Sequence, residues 1–195
     1  MRLRTLGAAL FGAALATTAL AQDATRGATL AAESCVACHG ANGRSQMPDI
    51  PSLAGQPADF ITIQMILFRE TLRHVPVMNA IAANLPDKDI EDMAAFFASL
   101  PPGPPDDRRP RDPALFAAGQ ALSGPRNCGV CHLPDYRGRN QIPRLTGQRE
   151  DFLVRTMTEY RDGRRTGSDN SMNAVMQGTT AEQIAALAHY LSQLD

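Results

Sequence analysis

Long stretches of this 195-residue chain occur twice, and that repetition constrains the fold before any helix or strand is assigned. PSLAGQPADF at 51–60 and PRLTGQREDF at 143–152 are identical at six of ten positions. MNAIAANLPDKDIEDMAAFFASL at 78–100 aligns without a gap to MNAVMQGTTAEQIAALAHYLSQL at 172–194, and ESCVACHGANG at 33–43 is answered by RNCGVCHLPDY at 126–136. The offsets are 93 at the cysteines, 92 at the Pro-x-Leu-x-Gly-Gln segment and 94 at the methionines, as small changes in loop length would give. A chain duplicated with this period builds two like units.

The boundaries follow from composition. Arg2 and Arg4 precede an apolar run from Leu6 to Leu20 and small residues at Ala19 and Ala21. That order is a secretory signal over residues 1–21, cleaved between Ala21 and Gln22, and it directs the mature chain to a bacterial periplasm. Retention as an anchor is the alternative, although the run is short of the roughly 18–20 residues that span a bilayer. PPGPPDDRRPRDP at 101–113 holds six prolines and no apolar period. It separates an N-terminal domain (22–100) from a C-terminal domain (113–195) by a linker over 101–112. Each domain has about 80 residues and no Trp, so a protein-only core is marginal and a large apolar cofactor would help. Residues 22–100 carry 5 basic and 9 acidic side chains, and 101–195 carry 12 and 11. Nothing there suits nucleic acid, but the two halves are expected to dock different partners.

Both halves are expected to be all-α. An opening helix covers about 24–34 and 113–124, with Gly27 or Gly119 admitting a close neighbour. A middle helix covers about 57–71 and 149–161. A closing helix starts at Asp87 after Pro86, and at Thr179 or Thr180 with Glu182 and Gln183 following. Ile90, Met93, Ala94 and Phe97 form its apolar stripe, and no run sustains the alternation of a strand.

All four cysteines lie in Cys-x-x-Cys-His. Zinc ribbons place two such pairs about 15–20 residues apart, whereas 89 residues lie between Cys38 and Cys128. A thioredoxin-like site needs a strand-helix-strand setting that is missing, and a plain disulfide gives no reason for the histidine. Covalent haem does: two thiols add to the porphyrin vinyls and the adjacent imidazole binds iron. Two haem c groups are therefore expected, on Cys35 and Cys38 and on Cys128 and Cys131, with His39 and His132 as axial ligands.

A sixth ligand from the protein closes the iron to substrates and suits electron transfer. Met78 and Met172 open the shared Met-Asn-Ala, 39 and 40 residues after their histidines, in a stretch read as irregular chain. They are the expected partners. Met65 and Met157 fall inside middle helices and are read as core, as are Met47, Met93 and Met176 without counterparts. His74 and His189 are read as surface or helix-face residues.

This order, from CxxCH through P-x-L-x-G-Q and Phe68-Arg69 or Tyr160-Arg161 to the methionine and a helix with Phe96 or Tyr190, resembles a class I cytochrome c domain occurring twice. The tandem is similar to the dihaem cytochrome c4 family over nearly all the mature chain. The resemblance implies two small helical domains with His/Met-ligated haems. It implies a periplasmic carrier, not an enzyme, that passes electrons toward a terminal oxidase. Its implied partners are redox proteins, a membrane-bound oxidase or reductase among them, with peripheral membrane association and no nucleic acid. The alternatives are the dihaem subunit of a flavocytochrome sulfide dehydrogenase, or a haem peroxidase or thiosulfate-oxidising enzyme. Leu133-Pro134-Asp135 departs from Gly40-Ala41-Asn42-Gly43 and is expected to alter the turn after the second motif. The linker's charge and proline are expected to work against tight docking.

Four further pairs recur in register. Pro51 and Pro143 are placed to offer a carbonyl to the axial imidazoles. Arg69 with Arg161 and Arg73 with Arg165 are candidates for the haem propionates. Gln56 and Gln148 either cap the middle helices or bond near the haems.

Overall fold

A computed structural model of the chain describes residues 21–165 and 170–195; the stretch 1–20, on which the secretory-signal reading rests, lies outside them. The first half runs α1 (Ala24–Ser34), α2 (Val36–His39), α3 (Ala58–Arg69), α4 (Pro76–Ala82) and α5 (Asp87–Ser99). The second repeats the plan as α6 (Pro113–Ser123), α7 (Cys128–His132), α8 (Glu150–Arg161), α9 (Ser171–Met176) and α10 (Ala181–Ser192). The fold is all-α; among the described residues the only extended pairing is one isolated bridge between Arg139 and Ile142.

Side-chain caps set several helix starts. Asp23 accepts the Thr25 and Arg26 N–H groups at the head of α1, and Asp112 does the same for Ala114 and Leu115 at α6, where Pro113 is pre-set for the first turn. Thr180 and Gln183 form a capping box on α10. On α5 Pro86 holds the cap position and Asp87 is the first helical residue, so Asp87 contributes charge near the helix N-terminus and no capping bond.

The opening and closing helices of each half cross at a glycine. A Cβ on Gly27 would lie 1.9 Å from the Asp92 carbonyl oxygen, and one on Gly119 would lie 2.1 Å from that of Ala186. This approach lets Ala31, Met93, Ala94 and Phe97 meet Ile61 of α3 in one core, and Ile184, Leu187 and Leu191 meet Leu153 and Met157 of α8 in the other. Met93, Met157 and Met176 are core residues as expected, but Met47 is 44% exposed and packs little. His74 is exposed. His189 is buried instead: the Asp112 N–H donates to its Nε2 at 2.9 Å and its Nδ1 lies 3.1 Å from Glu150 Oε2, tying the head of α6 to α10.

Asp92 is a buried carboxylate inside the α1–α5 contact. Burial pushes its pKa up, but the Asp23 N–H at 2.7 Å, Lys88 and Arg26 at 2.7 Å outweigh this and hold it at about 2, below the ordinary 3.8. A depressed carboxylate stabilises the fold above its unfolded value and loses that contribution as pH falls through its folded value. The N-terminal half is thus expected to weaken between about pH 4 and pH 2. Asp92→Ala should cost about 2–3 kcal/mol at neutral pH, since it leaves Lys88 and the Asp23 N–H without their carboxylate and Arg26 with Asp89 alone. Acid titration of helicity for the two proteins checks both statements.

Residues 101–112 form no helix and are pinned to both halves. The Asp106 N–H donates to Gln46 Oε1 at 3.1 Å, Asp107 accepts two bonds from the buried Arg149 at 2.8 and 3.1 Å, and Arg111 donates to Gln193 O at 2.8 Å. Arg149 also reaches Ser45 O of the first half at 3.2 Å. The linker's charges expected to work against docking are instead paired with groups of the second half.

Candidate functional site

Each half brings its cysteines and histidine together on a short turn of helix directly after the opening helix. No disulfide joins the four cysteines. Burial pushes the Cys35 thiol up to about 11 and raises that of Cys128. A thioredoxin-type nucleophile needs the opposite shift, so dithiol exchange chemistry has no support here. Cys38 is half-buried and Cys131 is exposed.

His39 and His132 are buried, and each Nδ1 lies 2.8 Å from a proline carbonyl, Pro51 O and Pro143 O. Burial lowers both pKa values, only partly opposed by the carbonyl bond. Each is therefore a neutral imidazole with Nδ1 as donor, which leaves the Nε2 lone pair for a metal.

The turn after the second motif keeps the geometry of the first despite its different residues. Leu133 adopts φ 71° where Gly40 has 84°, and Tyr136 adopts 55° where Gly43 has 70°. The bonds match as well: Leu53 N donates to Gly43 O at 2.7 Å, and Leu145 N to Tyr136 O at 2.8 Å. Positive φ costs Leu133 and Tyr136 about 1–3 kcal/mol each. Burial of the Tyr136 ring edge-on to Tyr190, at 5.8 Å between centroids, offsets part of it. The expected alteration of this turn is thus absent.

Met78 and Met172 stand on the short helices α4 and α9, not on irregular chain. Both are half-buried, and Met172 packs on the cluster that also takes Cys128. The residue after each methionine anchors its helix: Asn79 Nδ2 donates to Phe68 O at 2.7 Å and Arg73 O at 2.8 Å, and Asn173 Nδ2 to Tyr160 O at 2.8 Å and Arg165 O at 2.9 Å. Sequence reasoning passed over these asparagines, although their repetition after Met marked them.

Of the two arginine pairs, Arg69 is engaged by Asp87 at 2.7 Å and Glu70 at 2.9 Å, and Arg161 by Asp162 at 2.7 Å. Neither is free for a ligand carboxylate. Arg73 and Arg165 differ. Arg165 is buried and Arg73 half-buried; they converge across the domain boundary on Gln64 Oε1, at 3.4 and 2.6 Å, and Arg165 Nε has no partner. Burial, then the neighbouring Arg165, lowers Arg73 to about 9. Neither arginine has a carboxylate partner among the described residues. Two cations packed beside each other, one buried and one half-buried, call for an anionic group, and porphyrin propionates supply one. With paired thiols and histidines holding a free Nε2, the residues present fit haem.

The cytochrome c family profile matches residues 24–101 and again 116–195. A cytochrome c4 from Pseudomonas aeruginosa is 36% identical over 181 residues, covering 89% of this chain and 90% of that protein. The chain belongs to the dihaem cytochrome c4 family. The crystal structure of reduced cytochrome c4 from Pseudomonas stutzeri superposes with a TM-score of 0.82 at 31% identity, over 90% of this chain and all of that one. A thiosulfate dehydrogenase electron acceptor from Stutzerimonas stutzeri is 31% identical over 178 residues, 86% of this chain and 82% of that protein. As in its family, the chain carries two covalent haem c groups on its cysteine pairs and transfers electrons between redox proteins.

Proposed function

We propose that the chain is a periplasmic, non-enzymatic carrier whose irons are held axially by His39 and Met78 in the first half and by His132 and Met172 in the second. When bound, each haem supplies a one-electron couple. The observation that carries the reading is the duplicated imidazole geometry, with Nδ1 committed to Pro51 O or Pro143 O and Nε2 free. Cys35, Cys38, Cys128 and Cys131 fix the group covalently. Asn79 and Asn173 hold the methionine helices at the ends of α3 and α8. Arg73 and Arg165 would supply the positive charge for haem propionates.

With a side chain on each axial side, no position is left for a substrate, which disfavours the peroxidase and thiosulfate-oxidising readings. Partner recognition falls to the rims of the two motifs. Val130 is 69% exposed beside the exposed Cys131, and the exposed Arg137 and Arg139 follow it. Arg139 shares a surface hollow with Val130 and Arg137 pairs with Asp135 at 3.2 Å; an exposed apolar contact with a cation beside it suits an acidic partner. Arg144 is half-buried at the domain boundary and takes no part. The similarity to a thiosulfate dehydrogenase electron acceptor supports an enzyme as electron donor, and a terminal oxidase fits as acceptor. Among the described residues no helix is long and apolar enough to cross a membrane.

The test is a reductive titration of the matured protein with pyridine haemochrome counting. Two haems, two one-electron steps and a ferric-iron-to-thioether band from both centres are expected; one haem, or a band from neither, overturns the proposal. Neutralising Arg137 and Arg139 is expected to slow reaction with an acidic redox protein by about threefold to tenfold at low salt, and to flatten its salt dependence.

A further inference from the structure

The glutamines of the repeated Pro-x-Leu-x-Gly-Gln segment cap no helix of their own; they cross to the other half. Gln148 Oε1 accepts the Ser52 N–H at 2.8 Å, and its Nε2 donates to Ser52 O at 2.9 Å. Gln56 treats Arg144 the same way, accepting its N–H at 3.0 Å and donating to its carbonyl at 2.8 Å. Gln148 Oε1 also accepts the Arg149 N–H at 2.9 Å, which fixes the side chain. Both glutamines are buried, so water does not compete.

Ser52 and Arg144 directly follow Pro51 and Pro143. The Ser52 N–H therefore belongs to the same planar peptide group as the Pro51 carbonyl that receives the His39 Nδ1–H, and the Arg144 N–H to the same group as the Pro143 carbonyl that receives that of His132. An acceptor on the N–H side of a peptide pushes electron density onto its oxygen, so the two hydrogen bonds strengthen each other. A stronger carbonyl acceptor makes the imidazole a better donor to its metal.

We infer that Gln148 tunes the iron of the N-terminal half and Gln56 that of the C-terminal half, each through the peptide that links it to the axial imidazole of the opposite domain. The inference rests on the axial roles proposed above for His39 and His132. Docking of the halves then sets both couples: each glutamine makes the opposite imidazole more electron-rich, favours the ferric state and lowers the potential. Undocking, or a partner that shifts one half against the other, removes both effects together.

The test uses the dihaem protein with Gln148→Leu and Gln56→Leu. Spectroelectrochemical titration reads the couples, while NMR assigns each to its half and follows the Nδ1–H resonances of His39 and His132. Paramagnetically shifted ring signals from both histidines in the unaltered protein are the first requirement, and their absence would overturn the axial assignment rather than the relay. With them in place, Gln148→Leu is expected to raise the reduced-to-oxidised ratio of the N-terminal iron about threefold at fixed ambient potential, or about 28 mV at 59 mV per tenfold. The His39 Nδ1–H resonance should move and that of His132 should stay. Gln56→Leu should give the mirror image. Gln148→Glu, with a full negative charge at the same acceptor position, should move the N-terminal couple the other way, and its sign decides the matter should the leucine variants lose haem. A shift confined to the mutated half, an equal shift in both, or no shift overturns the relay.

Discussion

Met78→Ala and Met172→Ala are each expected to abolish one of the two ferric-iron-to-thioether bands and to leave the other intact. The side chains are half-buried and the helices beneath them are pinned by Asn79 and Asn173, so truncation removes the sulfur without dismantling its support. Thioether sulfur favours ferrous iron, so the affected couple should fall on the order of 0.1 V or more, against the roughly 0.8 V that axial ligation spans. The vacated position should then take up cyanide or carbon monoxide, which the unaltered protein binds poorly. Titrating each variant with ligand and potential together checks this. Unchanged bands in both variants would assign the axial positions to other side chains, with Met65 and Met157 next in line.

How much of this was legible in the sequence differs by feature. Repetition exposed the tandem plan, the cysteine pairs, the histidines and the proline carbonyls, because chemistry that needs adjacent residues leaves them adjacent in the chain. The helix at Met78 and Met172 was missed because seven and six residues carry too little period to register, and its anchor is a side-chain bond to carbonyls up to 13 residues away. The turn at Leu133 was misjudged because a change of residues from Gly40-Ala41-Asn42-Gly43 to Leu133-Pro134-Asp135 was taken to change the path. Three backbone bonds with counterparts in the first half, from Tyr136 N to Leu133 O and from Leu145 N and Thr146 N to Tyr136 O, and a buried tyrosine instead impose the same path on other residues. Pairing at the domain boundary was invisible for a different reason. Gln148 and Ser52 are 96 residues apart, and nothing local distinguishes a glutamine that caps its own helix from one that crosses to a neighbour.

Gly119→Ala is expected to be among the most damaging single substitutions outside the haem ligands. The new Cβ would stand 2.1 Å from Ala186 O, 2.5 Å from Tyr190 Cβ and 2.7 Å from Ala186 C. Two of these atoms are backbone of α10 and cannot swing aside, so α6 and α10 must separate. Separation weakens the contact between the Phe116 and Tyr190 rings, now 5.1 Å apart, and through Tyr190 the support of the strained Tyr136 turn behind the second motif. Overpacking of this kind costs about 3 kcal/mol, while alanine's better helix propensity returns about 1. A net loss of about 2 kcal/mol lowers the melting temperature of an 80-residue domain by roughly 10 °C or more. Gly27→Ala should do the same to the first half, where its Cβ meets Asp92 O at 1.9 Å. Gly124→Ala is the control: it caps the same helix with φ −63°, and nothing lies within 4 Å of its Cβ. Freed of any clash, it should be neutral or stabilise by up to about 1 kcal/mol by restricting the unfolded chain. Melting of the three variants by far-UV circular dichroism separates the cases, and a Gly119→Ala protein that melts with the unaltered one would refute the close crossing.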